Sequence, residues 1–441
     1  MNVLKFGGTS VGSAQRIQAV AQLISDDQPK IVVLSAMSGT TNQLIEITKA
    51  LYQDKQADAT NIIQNMELNY LMVCNELYST NVWKQTAGQF VRDIFTYLRS
   101  FSALDFHPLQ EKIIVAQGEI LSTTLMYYYL QEQNITSTLL PALDFMRVDK
   151  DREPDYFYIE QNLNRLLAAP TTQGIIITQG FICRNVHGQI DNLLRGGSDY
   201  SAALIGAAIH ADEIQIWTDI DGVHNNDPRY VTGTHAIRQL SFDEAAELAY
   251  FGAKILHPSS IAPAKKTNIP VRLKNTLNPT DEGTLIIRDS TTTGIRAIAA
   301  KDDITAIKIQ SSHMLLAYGF VKKVFEVFEN WKTPIDMIAT SEVAISLTID
   351  DTRHLAEIKK ELARYGTIEI EEKLSIICVT GNFKHDTAGV VAQVVNALTD
   401  IPLHMISYGA SDHSVSLLVA GENKQRTLVA LHNHLFNTPN N

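Results

Sequence analysis

The sequence predicts an α/β protein: a mainly parallel sheet sandwiched by helices, followed by two ferredoxin-like βαββαβ modules. Three observations carry this prediction. Short, apolar, β-branched runs recur in the first two-thirds of the chain, namely IVVLSA (31–36), GIIITQGF (174–181) and EIQIWTDIDG (213–222). Such runs are typical of strands buried on both faces. Helix-like stretches alternate with them, as the connections between parallel strands require. Beyond residue 276 the chain nearly repeats itself. GFVKKVFEVFENWKTPIDMI (319–338) ends in Pro-Ile-x-Met-Ile and AGVVAQVVNALTDIPLHMI (388–406) in Pro-Leu-x-Met-Ile. Each then leads into a strand-like run, EVAISLTI (342–349) and DHSVSLLV (412–419). A helix, a proline turn and two strands per copy fit a duplicated module, and two copies suit a paired ligand-sensing unit rather than a solenoid.

The elements follow in order. LKFGGTS (4–10) closes a first strand with two glycines and two hydroxyls. Paired glycines let the backbone approach a ligand closely, and clustered N–H groups form an anion nest. Lys5 precedes the glycines, the reverse of a P-loop, so a phosphate site and a plain tight turn with a solvated lysine both remain open. Residues about 50–105 carry no strand signal and read as a helical insertion, a lid or a partner surface. SDYSAALIGAAIHA (198–211) is an Ala-rich helix with Ser198 placed to cap it. SFDEAAELAYFGAK (241–254) starts with a capping box, Ser241 and Glu244. NTLNPTDEGT (275–284) is turn-rich and reads as a linker region.

Composition narrows the class. At 441 residues, two or three domains are expected. A net charge of −11 argues against a general nucleic-acid surface. Cys74, Cys183 and Cys378 are widely separated, have no metal-site spacing, and suit a reducing compartment. No cleavable leader is visible and no apolar run is long enough to span a bilayer. A cytoplasmic protein is the expectation.

Four further stretches carry candidate chemistry. SAMSGTTN (35–42) follows a strand, where an open α/β sheet places its binding crevice; an ordinary βα loop is the alternative. In AQGEILSTT (116–124), Glu119 suits either an ammonium ligand or a helix start favoured by the dipole. LLRGGSDYSAALIGAA (193–208) is the most specific: Arg195, Gly196, Gly197 and Ser198 lead directly into a helix N-terminus, a ready anion site. There Arg195 can grip a carboxylate with both nitrogens, and Asp199 either complements the dipole or holds lysines in place. WTDIDGVHNNDPRYV (217–231) ends a strand in a turn suited to a base and ribose. FGAKILHP (251–258) puts Lys254 at a helix end, where a dipole complement is the alternative.

Taken together, KFGGTSVG, the RGGSD helix start, WTDIDGV…DPR and FGAKILHP, in this order, resemble the aspartokinases of the amino acid kinase fold, closest to the monofunctional lysine-sensitive type. The C-terminal repeat resembles their ACT domains. The resemblance spans essentially the whole chain. It implies a kinase domain over 1–285, a linker and strand over 286–302, and ACT domains over 303–370 and 371–441. It implies phosphorylation of the L-aspartate side chain by ATP, with Mg²⁺ on the phosphates and no dedicated protein metal site, as the first step of lysine, threonine and methionine biosynthesis. By the same resemblance Lys5 and Lys254 stabilise the transferring group and Asp199 orients the lysines. Gly7 and Gly8 give close backbone contacts. Arg195 and Ser198 hold the aspartate α-carboxylate, Glu119 takes its ammonium, and Thr41 and Phe181 flank it. Thr218, Asp219, His224 and Arg229 line the ATP site, His224 standing where a tyrosine is common. Met314, Gly319, Asp336, Ser341 and Glu342 line an effector pocket for lysine or threonine, with Asp336 or Glu342 on its ammonium groups. A homodimer or larger assembly through the ACT domains is expected.

Two departures stand out. Asp191-Asn192-Leu193-Leu194 replaces Thr-Thr-Leu-Gly before RGGSD, and Ala317 and Pro334 replace serines of the lysine-sensing type. A catalytically weak regulatory paralogue that binds amino acids is therefore a rival reading, which the first departure alone supports. An N-acetylglutamate kinase is disfavoured, because that substrate has no ammonium for Glu119.

Overall fold

A computed structural model describes residues 1–103, 105–193, 196–252, 256–290, 293–311, 318–383 and 388–436. It divides into two compact units. The first is Met1–Val223, Arg238–Phe242 and Leu256–Asp289, and the second is His224–Ile237, Asp243–Ile255 and Ser290–Asn441.

The first unit is built on strands β1 (Asn2–Phe6), β2 (Lys30–Leu34), β3 (Ser137–Leu139), β4 (Ile175–Gln179), β5 (Ile182–Arg184), β6 (Ile190–Asn192), β7 (Ile214–Thr218), β8 (Gln239–Ser241), β9 (Val271–Asn275) and β10 (Thr284–Ile287). Its helices are α1 (Ala14–Ile24), α2 (Thr40–Tyr52), α3 (Gln56–Leu77), α4 (Asn81–Ser100), α5 (Pro108–Glu132), α6 (Tyr156–Leu167) and α7 (Gly197–Ile209). Next come α8 (Phe242–Tyr250), which passes into the second unit from residue 243, and α9 (Ala262–Thr267). Eight strands form one sheet in the order β3-β4-β2-β1-β7-β9-β10-β8, and β5 pairs with β6. Every pairing in the eight-stranded sheet is parallel except β9 with β10. The apolar runs seen in the sequence are thus β2, β4 and β7, and β2 and β4 are buried at every residue.

The insertion over 50–105 is helical, as expected, but α3 and α4 do not stand off as a lid. Ile63, Met66, Tyr70 and Cys74 recur at helical spacing on α3 and join Val91 and Phe95 of α4 and Leu121 and Leu125 of α5 in one core. Two buried hydroxyls fix the seam: Tyr70 bonds Thr40 at 2.8 Å, and Tyr78 donates to the Leu125 carbonyl at 2.8 Å.

The second unit continues with β11 (Gly294–Gln310), α10 (Phe320–Asn330), β12 (Ile338–Thr340), β13 (Ala344–Ile349), α11 (Leu355–Leu362), β14 (Thr367–Asn382), α12 (Val390–Asn396), β15 (Met405–Tyr408), β16 (Ser414–Ala420) and α13 (Lys424–Phe436). Its six-stranded sheet runs β12-β13-β11-β14-β16-β15. The duplicated modules are interleaved. Ile298 of β11 packs with Ile377, Val379, Val394, Leu417 and Leu428, whereas Ile307 and Ile309, farther along the same strand, pack with Val324, Phe328, Ile345 and Leu362. The two halves meet at register shifts near Lys301–Ile304, with Asp303 and Lys373 in left-handed conformation. Segment 294–301, read from sequence as a joining strand, is therefore part of the second module's sheet and core. Segment 224–237 also groups with this unit: Val231 packs beside Ile298, Ile298 N donates to Asn225 O at 2.9 Å, and Asn226 Nδ2 to Leu428 O at 3.1 Å.

Candidate active site

The parallel register aligns the strand ends. Phe6 lies opposite Leu34 and Trp217, and Leu34 lies opposite Gln179. The loops starting at Gly7, Ser35, Gly180 and Asp219 therefore leave the sheet side by side, at the carboxyl edge where open α/β sheets bind ligands.

Lys5 lies on central β1, opposite Val33 and Ile216. Its Nζ is 2.6 Å from Asp199 Oδ1, and the two side chains are 12% and 18% exposed. Asp199 is in the first turn of α7. The N-cap of that helix is Gly196 at φ +70°, not Ser198. Two glycines start the helix earlier than the cap pattern suggested, and the Ser198 hydroxyl is free to accept a hydrogen bond from Ser35 Oγ at 2.9 Å. Gly8 is where a side chain would not fit: a Cβ there would come within 2.8 Å of the Ala36 carbonyl. Ser38 N donates to Gly8 O at 3.1 Å and Gly7 N to Trp217 O at 3.3 Å.

Glu119 on α5 approaches the same loops. It is 3% exposed, and its Oε1 accepts from Ala36 N at 3.3 Å. Its Oε2 is buried with no hydrogen-bond partner. Burial pushes this carboxyl up to about 8, against the Ala36 hydrogen bond, which lowers it. Ser122, one turn on, donates to the Ser35 carbonyl at 2.7 Å. Lys5, Asp199, Ser198, Ser35, Ala36 and Glu119 thus form one connected set. Thr41 is the second residue of α2, half-buried. Phe181 is held at φ +65°, its N–H donating to Ser201 Oγ at 2.8 Å. Thr218 Oγ1 donates to Asp219 Oδ1 at 3.1 Å, and Asp219 lines a cavity of about 40 Å³ with Thr9, Ser10, Arg16 and Thr276.

His224 and Arg229 belong to the second unit. There His224 Nδ1 is 3.1 Å from Thr234 Oγ1, and Arg229 Nη2 pairs with Asp227 Oδ2 at 2.6 Å. In the effector set, Gly319 (φ +83°), Ser341 and Glu342 are exposed, whereas the Asp336 side chain is 1% exposed. Arg195, Lys254 and Met314 lie outside the described residues, as do Leu194 and Ala317. Sequence reasoning did not single out Ser35 or Ser122. Both sit in quoted stretches: for Ser35 the available signal was its place at a strand's carboxyl end, and for Ser122 its place one helical turn after Glu119. Among the described residues, no group of three or more His, Cys, Asp or Glu side chains could hold a metal ion, and no helix is long and apolar enough to cross a membrane.

The amino acid kinase family model matches residues 1–275 and an ACT domain model matches residues 377–435. The chain belongs to the aspartokinases of the amino acid kinase family. It is 34% identical to the lysine-sensitive aspartokinase 3 of Escherichia coli, over 98% of this chain and 99% of that protein. It is also 34% identical to the chloroplastic aspartokinase 2 of Arabidopsis thaliana, over 99% of this chain and 84% of that one. The crystal structure of E. coli aspartokinase III with aspartate and ADP (R-state) superposes with a TM-score of 0.83 at 33% identity, over 99% of this chain and all of that one. The T-state complex of the same enzyme with lysine and aspartate gives 0.82 at 32% identity, over 99% of both chains.

Proposed function

We propose that this chain is an aspartate kinase, transferring the γ-phosphoryl group of ATP to the side-chain carboxylate of L-aspartate to give 4-phospho-L-aspartate and ADP. The observation that carries the reading is the connected set above: a lysine–aspartate pair at the end of β1, linked through two serines to a buried carboxylate with one oxygen unpartnered. The nucleophile is the substrate's own carboxylate, ionised at neutral pH, so no general base is needed. The obstacle is an anion attacking a polyanion. Positioning and positive charge must supply the catalysis.

In this reading Lys5 stabilises the transferring group, with Asp199 fixing its ammonium and Gly7 and Gly8 admitting the phosphates close to the backbone. Lys254 adds a second charge. Arg195 and Ser198 bind the α-carboxylate, Thr41 and Phe181 fix the substrate, and Thr218, Asp219, His224 and Arg229 bind the nucleotide. The Glu119 carboxyl loses its proton as the substrate ammonium arrives. Mg²⁺ would be carried on the nucleotide, keeping phosphate oxygens and water as most of its ligands, its preferred environment. Bound there, it supplies charge neutralisation on the phosphates.

The same reading makes the enzyme the cytoplasmic entry to lysine, threonine and methionine biosynthesis. It is inhibited by lysine, or by threonine, through the region of Gly319, Asp336, Ser341, Glu342 and Met314. Its domains are a kinase domain to about 285 and two ACT domains built mainly from 303–370 and 371–441, with 294–301 contributing a strand to the second, and it assembles through the ACT domains as a homodimer or larger. The test is ADP release from ATP with Mg²⁺, comparing L-aspartate with N-acetyl-L-glutamate, each with and without millimolar lysine or threonine. Aspartate-dependent, lysine-suppressed turnover is expected. Lys5→Ala should lower kcat by about 10²–10³; unchanged turnover would defeat the mechanism. A gel-filtration mass equal to the monomer would defeat the assembly.

A further inference from the structure

Asp336 sits in the turn before β12 with its side chain 1% exposed. Its Oδ1 accepts from Lys301 Nζ at 2.7 Å and from the Tyr250 hydroxyl at 2.8 Å. Its Oδ2 is buried with no hydrogen-bond partner. Lys301 also reaches Asp350 Oδ2 at 2.8 Å and stands 4.6 Å from the centre of the Tyr250 ring. Two carboxylates share one ammonium. The cluster is therefore short of one positive charge and one donor, and burial raises the Asp336 pKa accordingly. A second ammonium group would supply both.

The other partner in the cluster is Tyr250, the last residue of α8. Two residues on, Gly252 has φ +119°, and a Cβ there would collide with the Ala300 carbonyl. The chain leaving α8 is thus seated on β11 at two neighbouring points: the Tyr250 ring over Lys301, and the Gly252 backbone on Ala300. Lys254 follows two residues later in the sequence.

We propose that Tyr250 is a positioning residue that couples Asp336 to the segment bearing Lys254. An amino-acid effector whose ammonium engages Asp336 draws the carboxylate away from the Tyr250 hydroxyl, and the stretch between Tyr250 and Gly252 shifts with it. This rests on the part of the proposed function that makes the chain a nucleotide-binding protein regulated by an amino-acid effector, not on the phosphoryl transfer itself. It assigns Tyr250 and Lys301 roles that neither the sequence motifs nor the resemblance supplied.

The test uses the full chain and a readout that needs no turnover. Coupling between two ligands is reciprocal, so a nucleotide that feels the effector must change the effector's affinity. Lysine binding is measured calorimetrically with and without a non-hydrolysable ATP analogue and Mg²⁺, for wild type and Tyr250→Phe, with threonine and methionine as parallel arms. Tyr250→Phe keeps the ring and removes only the hydroxyl, and a melting curve verifies the fold. In the wild type the analogue should change effector affinity at least tenfold; in Tyr250→Phe, less than threefold. Hydrogen exchange over 243–252 should rise on effector binding in the wild type and stay unchanged in the variant. A Tyr250→Phe protein with the wild-type ratio overturns the proposal, as does a wild type that binds none of the three amino acids or shows no nucleotide effect. Intact coupling without aspartate-dependent ADP release would overturn the kinase reading and leave this one standing.

Discussion

Glu119 in the first unit and Asp336 in the second are two buried carboxylates built to opposite designs. Each has one oxygen engaged and one buried without a partner. Glu119 has only a backbone N–H, and burial carries its carboxyl to about 8. Asp336 already holds the Lys301 ammonium and the Tyr250 hydroxyl. The proposed substrate role, in which the site must empty every turnover, suits the first arrangement: burial raises the carboxyl to about 8 and favours its protonated form until a cation arrives. The proposed effector role suits the second, where a cation arriving at the unpartnered oxygen pulls on a carboxylate whose other oxygen already holds contacts that lead along the chain.

The sharpest break of this comparison is Glu119→Gln. It should lower kcat/KM for aspartate about a hundredfold to a thousandfold, because an ammonium loses its buried counter-charge, and yet raise Tm. The folded carboxyl holds its proton to about pH 8, whereas an unfolded glutamate releases it near about 4.3. The native contribution is thus fully present below the lower value and lost as pH rises through that window, so the gain in Tm on substitution should be larger at pH 8 than at pH 5. Asp336→Asn should share the sign on Tm, because burial raises that carboxyl too and Lys301 keeps Asp350 at 2.8 Å, but differ in function, raising the lysine concentration for half-inhibition at least tenfold with kcat/KM for aspartate little changed. Within the wild type, kcat/KM for aspartate should climb about tenfold per pH unit up to about 8, since the Glu119 proton must leave before an ammonium can pair there. A flat profile between pH 6 and 8 would show that Glu119 is ionised in the free enzyme.

The smallest expected effect comes from the internal repeat. Asp336 corresponds to His404 in the second copy. The backbones behave alike, with Asp336 N donating to Thr348 O at 2.9 Å and His404 N to Leu418 O at 2.8 Å. The side chains do not: His404 pairs with Glu371 at 3.0 Å near the surface. His404→Gln should change lysine inhibition less than twofold and stability by no more than about 1 kcal/mol. A large loss of inhibition would place an effector ammonium in both copies.

What the sequence disclosed follows the physics of short-range pattern. β2 and β4 were legible because strands buried on both faces leave continuous apolar runs, and β7 because Ile214, Ile216 and Trp217 keep most of that pattern. The repeat was legible because its proline turns recur. Gly7, Gly8, Glu119, Ser198 and Asp199 were legible as candidates through the motifs they sit in. The Ser198 cap was misread because the preceding glycines offer a left-handed start that a hydroxyl pattern does not reveal. The packing of α3 was available in its spacing, Ile63, Met66, Tyr70 and Cys74, but the lack of strands drew the lid reading instead. Lys301 was not legible. It lies inside a long strand without a motif, and its partners are 35, 49 and 51 positions away in sequence.

The shared strands have a consequence for the order of events during synthesis. Residues 294–301 emerge early, yet their partners on β14 are residues 376–382. Between them the ribosome must deliver the entire first module, whose β11–β13 pairing and core close over a shorter separation. That module can therefore consolidate first, with 294–301 waiting as an unpaired edge. Long-range pairing of this kind is slow, and a waiting edge is a template for the wrong neighbour. A chain stopped near residue 370 would leave that edge permanently open, so the last 70 residues also serve to close what the preceding ones expose.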